Sequence, residues 1–132
     1  MKMNQVERDW QQYKHERAQR ELEWKLDINH SRFERLWRKA HREGKKAMHA
    51  TKESPAWCFA HVRISDGLFA SWLMKTGKAK YSDDFDGNQG AVRVFISFRD
   101  IHDCDRLDAY ARAFARVLIA AGIDAYDESR LD

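Results

Sequence analysis

The chain has 132 residues, 43% of them hydrophobic and sixteen aromatic, and a formal net charge of +3. That length suits one domain with a modest core and leaves no room for a second full domain. Two cysteines are too few for a disulfide scaffold, the opening MKMNQVERDWQQYKHER lacks the apolar stretch of a secretory leader, and no run of about 18 apolar residues could span a membrane. The expectation is a soluble cytoplasmic protein in which Cys58 and Cys104 are ordinary buried thiols.

From Gln5 to about Lys25 the chain is rich in Glu, Arg, Gln and Lys and free of Gly and Pro, which favours a helix. Val6, Trp10 and Tyr13 follow a three-four spacing, but the seam then meets Arg17 and Arg20 before Trp24. The interruption weakens a coiled coil, so residues 1–30 are predicted to form a charged, partly exposed helical arm, able in principle to pair with a second copy. Ser31-Arg32-Phe33-Glu34 has the S-x-x-E form of a capping box, which predicts a new helix over residues 32–50, ending before Pro55.

That second helix divides its chemistry by face. At about 100° per residue, Arg32, Arg35, Arg38, Lys39, Arg42, Lys45 and Lys46 share an arc of about 140°, and Phe33, Leu36, Trp37, Ala40 and Ala47 lie opposite. Residues 32–52 hold eight Lys/Arg against two Asp/Glu, net +6, whereas residues 1–31 are neutral and residues 53–132 carry net −3. The positive charge of the protein is localised on one helix face.

After Pro55 the texture changes. Cys58, Ala60, Val62 and Ile64 alternate with Phe59, His61 and Arg63, the pattern of a half-buried strand. Asp66 is a candidate cap for a short helix with Leu68, Phe69, Trp72 and Leu73 on its inner stripe, and Gly77 is its expected stop. The segment KAKYSDDFDGNQG reads as an exposed loop. Val92, Val94, Ile96 and Phe98 define a second strand. Asp103 or Asp105 can cap a helix running to about Ala121, with Leu107, Tyr110, Ala111, Phe114, Val117, Leu118 and Ala121 inward and Gly122 ending it. Ile123 to Tyr126 reads as a brief third strand. Residues 31–132 are thus expected to form one α+β domain, with a β-α-β-α-β module over 57–127 whose three-stranded sheet carries helices on one face.

No persuasive catalytic constellation emerges. Cys58, His61, His102 and Cys104 are zinc-ligand types, but residues three apart on a strand point to opposite faces, and C-x-x-H with H-x-C matches no common zinc spacing. Cys104 with His102 as base lacks a third orienting residue. Asp83, Asp84 and Asp86 before Gly87 suggest a calcium loop, yet an EF-hand frame puts Ser82 first and Arg93 where the bidentate carboxylate belongs. Gly87 and Gly90 lack the lysine and hydroxyl residue of a phosphate loop. No catalytic residue, metal or cofactor is therefore expected, and an enzyme would need a pocket around His61, Cys104 and the acidic loop that the sequence does not display.

The basic stripe is the main functional clue. It can neutralise nucleic-acid phosphates or meet an acidic protein surface, against the plain alternative of a solvated helix face. Trp37 and Trp72 are assigned to the core, while Trp10 and Trp57 are the candidate hydrophobic contacts. The stretches FERLWRKAHREGKKA, CFAHV, FASWL and AYARAFARVLIAAGIDAY, with the terminal SRLD, resemble a group of small tailed-phage and prophage proteins over about residues 33–132. The resemblance implies a phage accessory protein and supplies no catalytic residue. Resemblance and charge together lead to the expectation of a binding protein, host-directed or anti-defence, whose basic helix engages an acidic surface of a host protein or protein–nucleic acid complex. The alternatives are direct DNA or RNA binding and a small enzyme.

Overall fold

The computed structural model describes residues 4–81 and 91–131. The first element is α1 (Gln5–His49), a single helix of 45 residues, about 68 Å long at 1.5 Å per residue. The expected break at Ser31 is therefore corrected: arm and basic helix are one rod. A capping box that the sequence analysis did not single out stands instead at the start of the rod, Asn4-Gln5-Val6-Glu7, where Asn4 Oδ1 accepts from Glu7 N at 2.8 Å and Asn4 N donates to Glu7 Oε2 at 3.3 Å. At Ser31 a cap has nothing to add, because Leu26 and Phe33 are buried on the same face and hold the helix in register across the junction. Asn29 donates its amide to the Lys25 carbonyl at 2.8 Å, and the Trp72 indole donates to His30 Nδ1 at 3.0 Å.

The rest of the chain runs β1 (Cys58–Ile64), α2 (Leu68–Lys75), β2 (Lys80–Tyr81), β3 (Val92–Ile96), α3 (Cys104–Ala120) and β4 (Ala125–Leu131). The fold is α+β, as expected, and every strand pair is antiparallel in the order β2-β3-β1-β4. This β-α-β-β-α-β path is the split arrangement of ferredoxin-like domains. Two details differ from the sequence reading. Lys80 and Tyr81, placed in a loop, pair with Arg93 and Val92 as a two-residue edge strand. The last strand spans seven residues rather than four, because Asp127 to Leu131 continue the ladder against β1 despite weak strand propensity. The acidic residues Asp83, Asp84 and Asp86, with Gly87 and Gly90, lie outside the described residues, as does Asp132.

One sheet face is apolar. Ala60, Val62, Ile64, Val92, Val94 and Ala125 are buried there; α3 packs over β1 and β4, and α1 lies along α3 and α2. The α2 N-cap is Gly67, without a side-chain cap, so Asp66 does not serve as expected. Gly77 and Gly122 follow α2 and α3 with φ of +72° and +84°, a left-handed conformation that only glycine enters cheaply. Asp103 caps α3: its carboxylate accepts from Arg106 N at 3.2 Å and from Ser54 N at 3.1 Å. Burial pushes this carboxyl up, but the hydrogen bonds and charge of Arg106 and the Ser54 amide outweigh it and hold the pKa below its ordinary value.

Cys58 and Cys104 are not separate thiols. They form a disulfide with Cα atoms 4.8 Å apart, closing β1 onto the start of α3. Backbone bonds from Cys58 N to His102 O (3.1 Å) and from Cys104 N to Ala56 O (2.8 Å) surround it. Spacing in sequence carried no sign of this pairing, which depends on the strand and helix meeting at one corner.

Two measurements test this packing. A Cβ at Gly44 would lie 2.7 Å from the Tyr110 ring, so Gly44→Val should lower stability by about 1–3 kcal/mol, read from denaturant midpoints, through overpacking at the α1–α3 contact. A midpoint equal to wild type would show that the helices separate without cost. Reducing the disulfide, whose cysteines are 46 residues apart, should cost about 2–4 kcal/mol; equal unfolding curves with and without reductant would count against the bond.

Candidate functional site

Two surfaces carry chemistry, on opposite sides of the domain. The first is the outward face of α1. Arg32, Arg35, Arg38, Lys39, Arg42, Lys45 and Lys46 are all exposed, and Phe33, Ala40, Gly44 and Met48 are buried on the side facing α2 and α3. The division of faces predicted from spacing is therefore present in three dimensions. Arg38 pairs with Glu34 at 3.2 Å and Arg42 approaches Glu43 at 4.0 Å, both exposed arrangements of small energetic value.

Between this face and the end of α3 runs a groove of about 360 Å³ whose floor is Phe33, Leu36, Ala121 and Ile123 and whose rim is Arg32, Arg35 and Lys39. A second cavity of about 420 Å³ shares Arg32 and Phe33 and extends past Asp66 and Asp124 to the start of α2. The Arg32 guanidinium stands over the Phe33 ring at 5.1 Å, which holds the charge beside the apolar floor. An apolar trough with cationic edges suits an amphipathic, anionic ligand.

The groove depends on how α1 seats on α3. Gly44 lets the Tyr110 ring come against the helix backbone, and the Tyr110 hydroxyl meets His41 Nδ1 at 2.5 Å. Burial, followed by the charge of Lys45, lowers the His41 pKa, and burial raises that of Tyr110. The pair is consistent with a Tyr O–H donating to a neutral imidazole.

The second surface is the outer face of the sheet, to which β1 contributes Phe59, exposed, and His61 and Arg63, both buried. Register places His61 between Phe95 and Glu128, and Arg63 between Arg93 and Tyr126. His61 Nε2 meets Glu128 Oε2 at 2.5 Å, and Arg63 and Arg93 approach the same carboxylate at 3.9 and 4.0 Å. Burial pushes Glu128 up, but His61, Tyr126 and Arg93 together hold its pKa below the ordinary 4.5. Around this ionised patch stand three exposed rings: Phe59 at 68%, Phe95 at 56% and Tyr126 at 41%.

The zinc and nucleophile alternatives fail on geometry. Cys58 and Cys104 are bonded to each other, His61 is on the opposite sheet face with Glu128, and the His102 ring stacks on Trp57 at 5.1 Å. Among the described residues no group of His, Cys, Asp and Glu is placed to hold a metal ion, and no helix is long and apolar enough to cross a membrane. Trp10 and Trp57 are 54% and 60% exposed, while Trp72 is fully buried. Comparison of the chain with protein-family models, curated proteins and solved structures finds no match.

The ion cluster makes a pH prediction. A depressed carboxyl pKa adds stability that is present above the ordinary 4.5 and lost as pH falls through the lower folded value. Wild type should therefore be more stable than Glu128→Gln at neutral pH, with the difference shrinking in acid. Melting curves whose separation stays constant from neutral pH down to strong acid would remove the ionised Glu128 from the account.

Proposed function

We propose that the protein acts by binding an acidic protein surface through the basic face of α1. The observation that carries this reading is the groove in which Phe33, Leu36, Ala121 and Ile123 form a floor beneath Arg32, Arg35 and Lys39. Cations alone would give weak and indiscriminate attraction that salt screens. An apolar floor beside them adds desolvated contact area, which is what gives a protein interface its strongly contributing centre. Trp10, exposed further along the same rod, extends the surface available to a large partner.

The resemblance of residues 33–132 to small phage proteins supports a host-directed or anti-defence role, with a host protein or a protein–nucleic acid complex as partner. A second copy is a further occupant for the arm, because Val6, Trp10 and Tyr13 are exposed on one stripe.

The test uses a fluorescent acidic peptide with central Leu and Phe residues, its apolar-free counterpart, and a duplex DNA, each titrated against the full chain across a salt series. The apolar acidic peptide should bind best, and the folded variant Arg32→Glu, Arg35→Glu, Lys39→Glu should weaken it by about tenfold or more, equivalent to about 1.4 kcal/mol. Equal binding by variant and wild type, or no peptide binding at low salt, rejects the reading. Duplex binding that outcompetes the peptide and falls steeply with salt would replace it with direct phosphate recognition.

A further inference from the structure

We propose that the free end of α1 pairs antiparallel with the same segment of a second copy, about an axis level with His15. Val6 then meets Trp24 of the other chain, Trp10 meets Arg20, and Tyr13 meets Arg17. Because the functional reading leaves the arm to a second copy, this pairing rests on that part of it and not on the acidic partner of the groove.

The domain does not cover the arm. From Asn4 to Glu21 every residue is exposed, and the first side chains of the rod packed against the core are Leu22 and Leu26. About 27 Å of helix therefore stands clear of the core. At about 100° per residue, Val6, Trp10, Tyr13 and Trp24, all exposed, lie within an arc of about 60°. That arc is half a turn away from Leu26, Phe33, Ala40 and Gly44, the buried line that holds the rod to the domain. Two rods can thus meet along the stripe while both domains stay on the outside.

Charge sets the direction of pairing. Residues 6, 10, 13, 17, 20 and 24 follow the alternating four-three spacing of a helix–helix seam, with Arg17 and Arg20 at its centre. A parallel pair in register would set each arginine against itself and lay the two cationic halves, Arg32 to Lys46, side by side. Antiparallel pairing does neither. Residues 1–31 balance six Lys/Arg with six Asp/Glu, so no net charge holds the arms apart. The two Arg32 residues then end about 51 Å apart along the axis, well beyond a Debye length of about 8 Å.

The same register gives the two arginines partners. Trp10 and Tyr13 are stacked with centroids 5.7 Å apart, and Lys14 stands 5.1 Å from the Trp10 ring, so this pair of rings already holds a cation. Arg20 and Arg17 of the second copy bring guanidinium groups to the same rings, and Asp9 lies one residue out of step with Arg20. Val6 against Trp24 closes each end with apolar contact. Glu16 faces Glu16 and Lys14 faces Lys14 only on the solvent-facing flanks, where screened charges count for little. In the pair, the two grooves beside Phe33 and Leu36 stand about 55–60 Å apart along the axis, which presents one partner with two points of attachment.

Sedimentation equilibrium of the full chain over a wide concentration range should show a reversible dimer. Trp10→Ala, a change on the exposed arm, should weaken it by about tenfold or more, with a thermal melt that shows the domain folded. Orientation is read by mixing Val6→Cys protein with Trp24→Cys protein and adding a short bis-maleimide. The antiparallel pair should link one variant to the other, because each introduced thiol lies about 27 Å from its own copy. A monomer at every concentration, a Trp10→Ala dimer as tight as wild type, or each variant linked to itself instead would overturn the proposal. Peptide binding in the groove is titrated separately, so failure of the pairing and failure of the acidic partner are told apart.

Discussion

The close contact between α1 and α3 at Gly44, Tyr110 and His41 is the constraint from which the helical side of the molecule follows. A 45-residue helix cannot be positioned on the domain by propensity alone; packing of its amphipathic face supplies most of its stability and all of its placement. Here a ring replaces the missing Cβ of Gly44, and a hydroxyl–imidazole bond closes the seam beside it. Because α1 is one continuous rod, fixing it near residue 44 also aims the rest of its length. Leu26 and Phe33 continue the buried line toward α2, and the seven cations are turned outward as a consequence.

The opposite side of the domain obeys a different logic. An antiparallel sheet can leave one face to water, and this one fills that face with ions beneath rings. Glu128 is the pivot: it sits on β4, which would have weak reason to continue past Tyr126, and meets His61 and Arg63 of the adjacent β1 and, beyond it, Arg93 of β3. Buried or half-buried charges are costly unless paired, so the network both permits the cations to lie on the sheet and extends the ladder to Leu131. The electrostatics of the edge strand and its length are one problem with one solution.

A third local arrangement joins the two sides. Asp103 caps α3, ties down Ser54 and lies next to the disulfide between Cys58 and Cys104. The turn after α1, the start of β1 and the start of α3 are thereby held at one corner. Stabilising a corner where three segments meet limits the movement of α3 relative to the sheet, and hence of the groove that α3 shares with α1.

Local order was legible in the sequence. Period-two alternation located β1 and β3, the glycines after α2 and α3 marked their ends, Asp103 was among the candidate caps, and helical spacing separated the cations of α1 from Phe33 and Ala40. These features depend on neighbours within a few residues, so the one-dimensional pattern contains them. Tertiary structure alone decided which of two similar capping signals, Asn4 to Glu7 or Ser31 to Glu34, begins a helix, because burial of Leu26 and Phe33 favours continuity. It alone brought Cys58 to Cys104 across 46 residues, and Glu128 to His61 across 67. Pairings over such distances are set by strand order and by how helices seat on a sheet, and no local pattern of residue types encodes either.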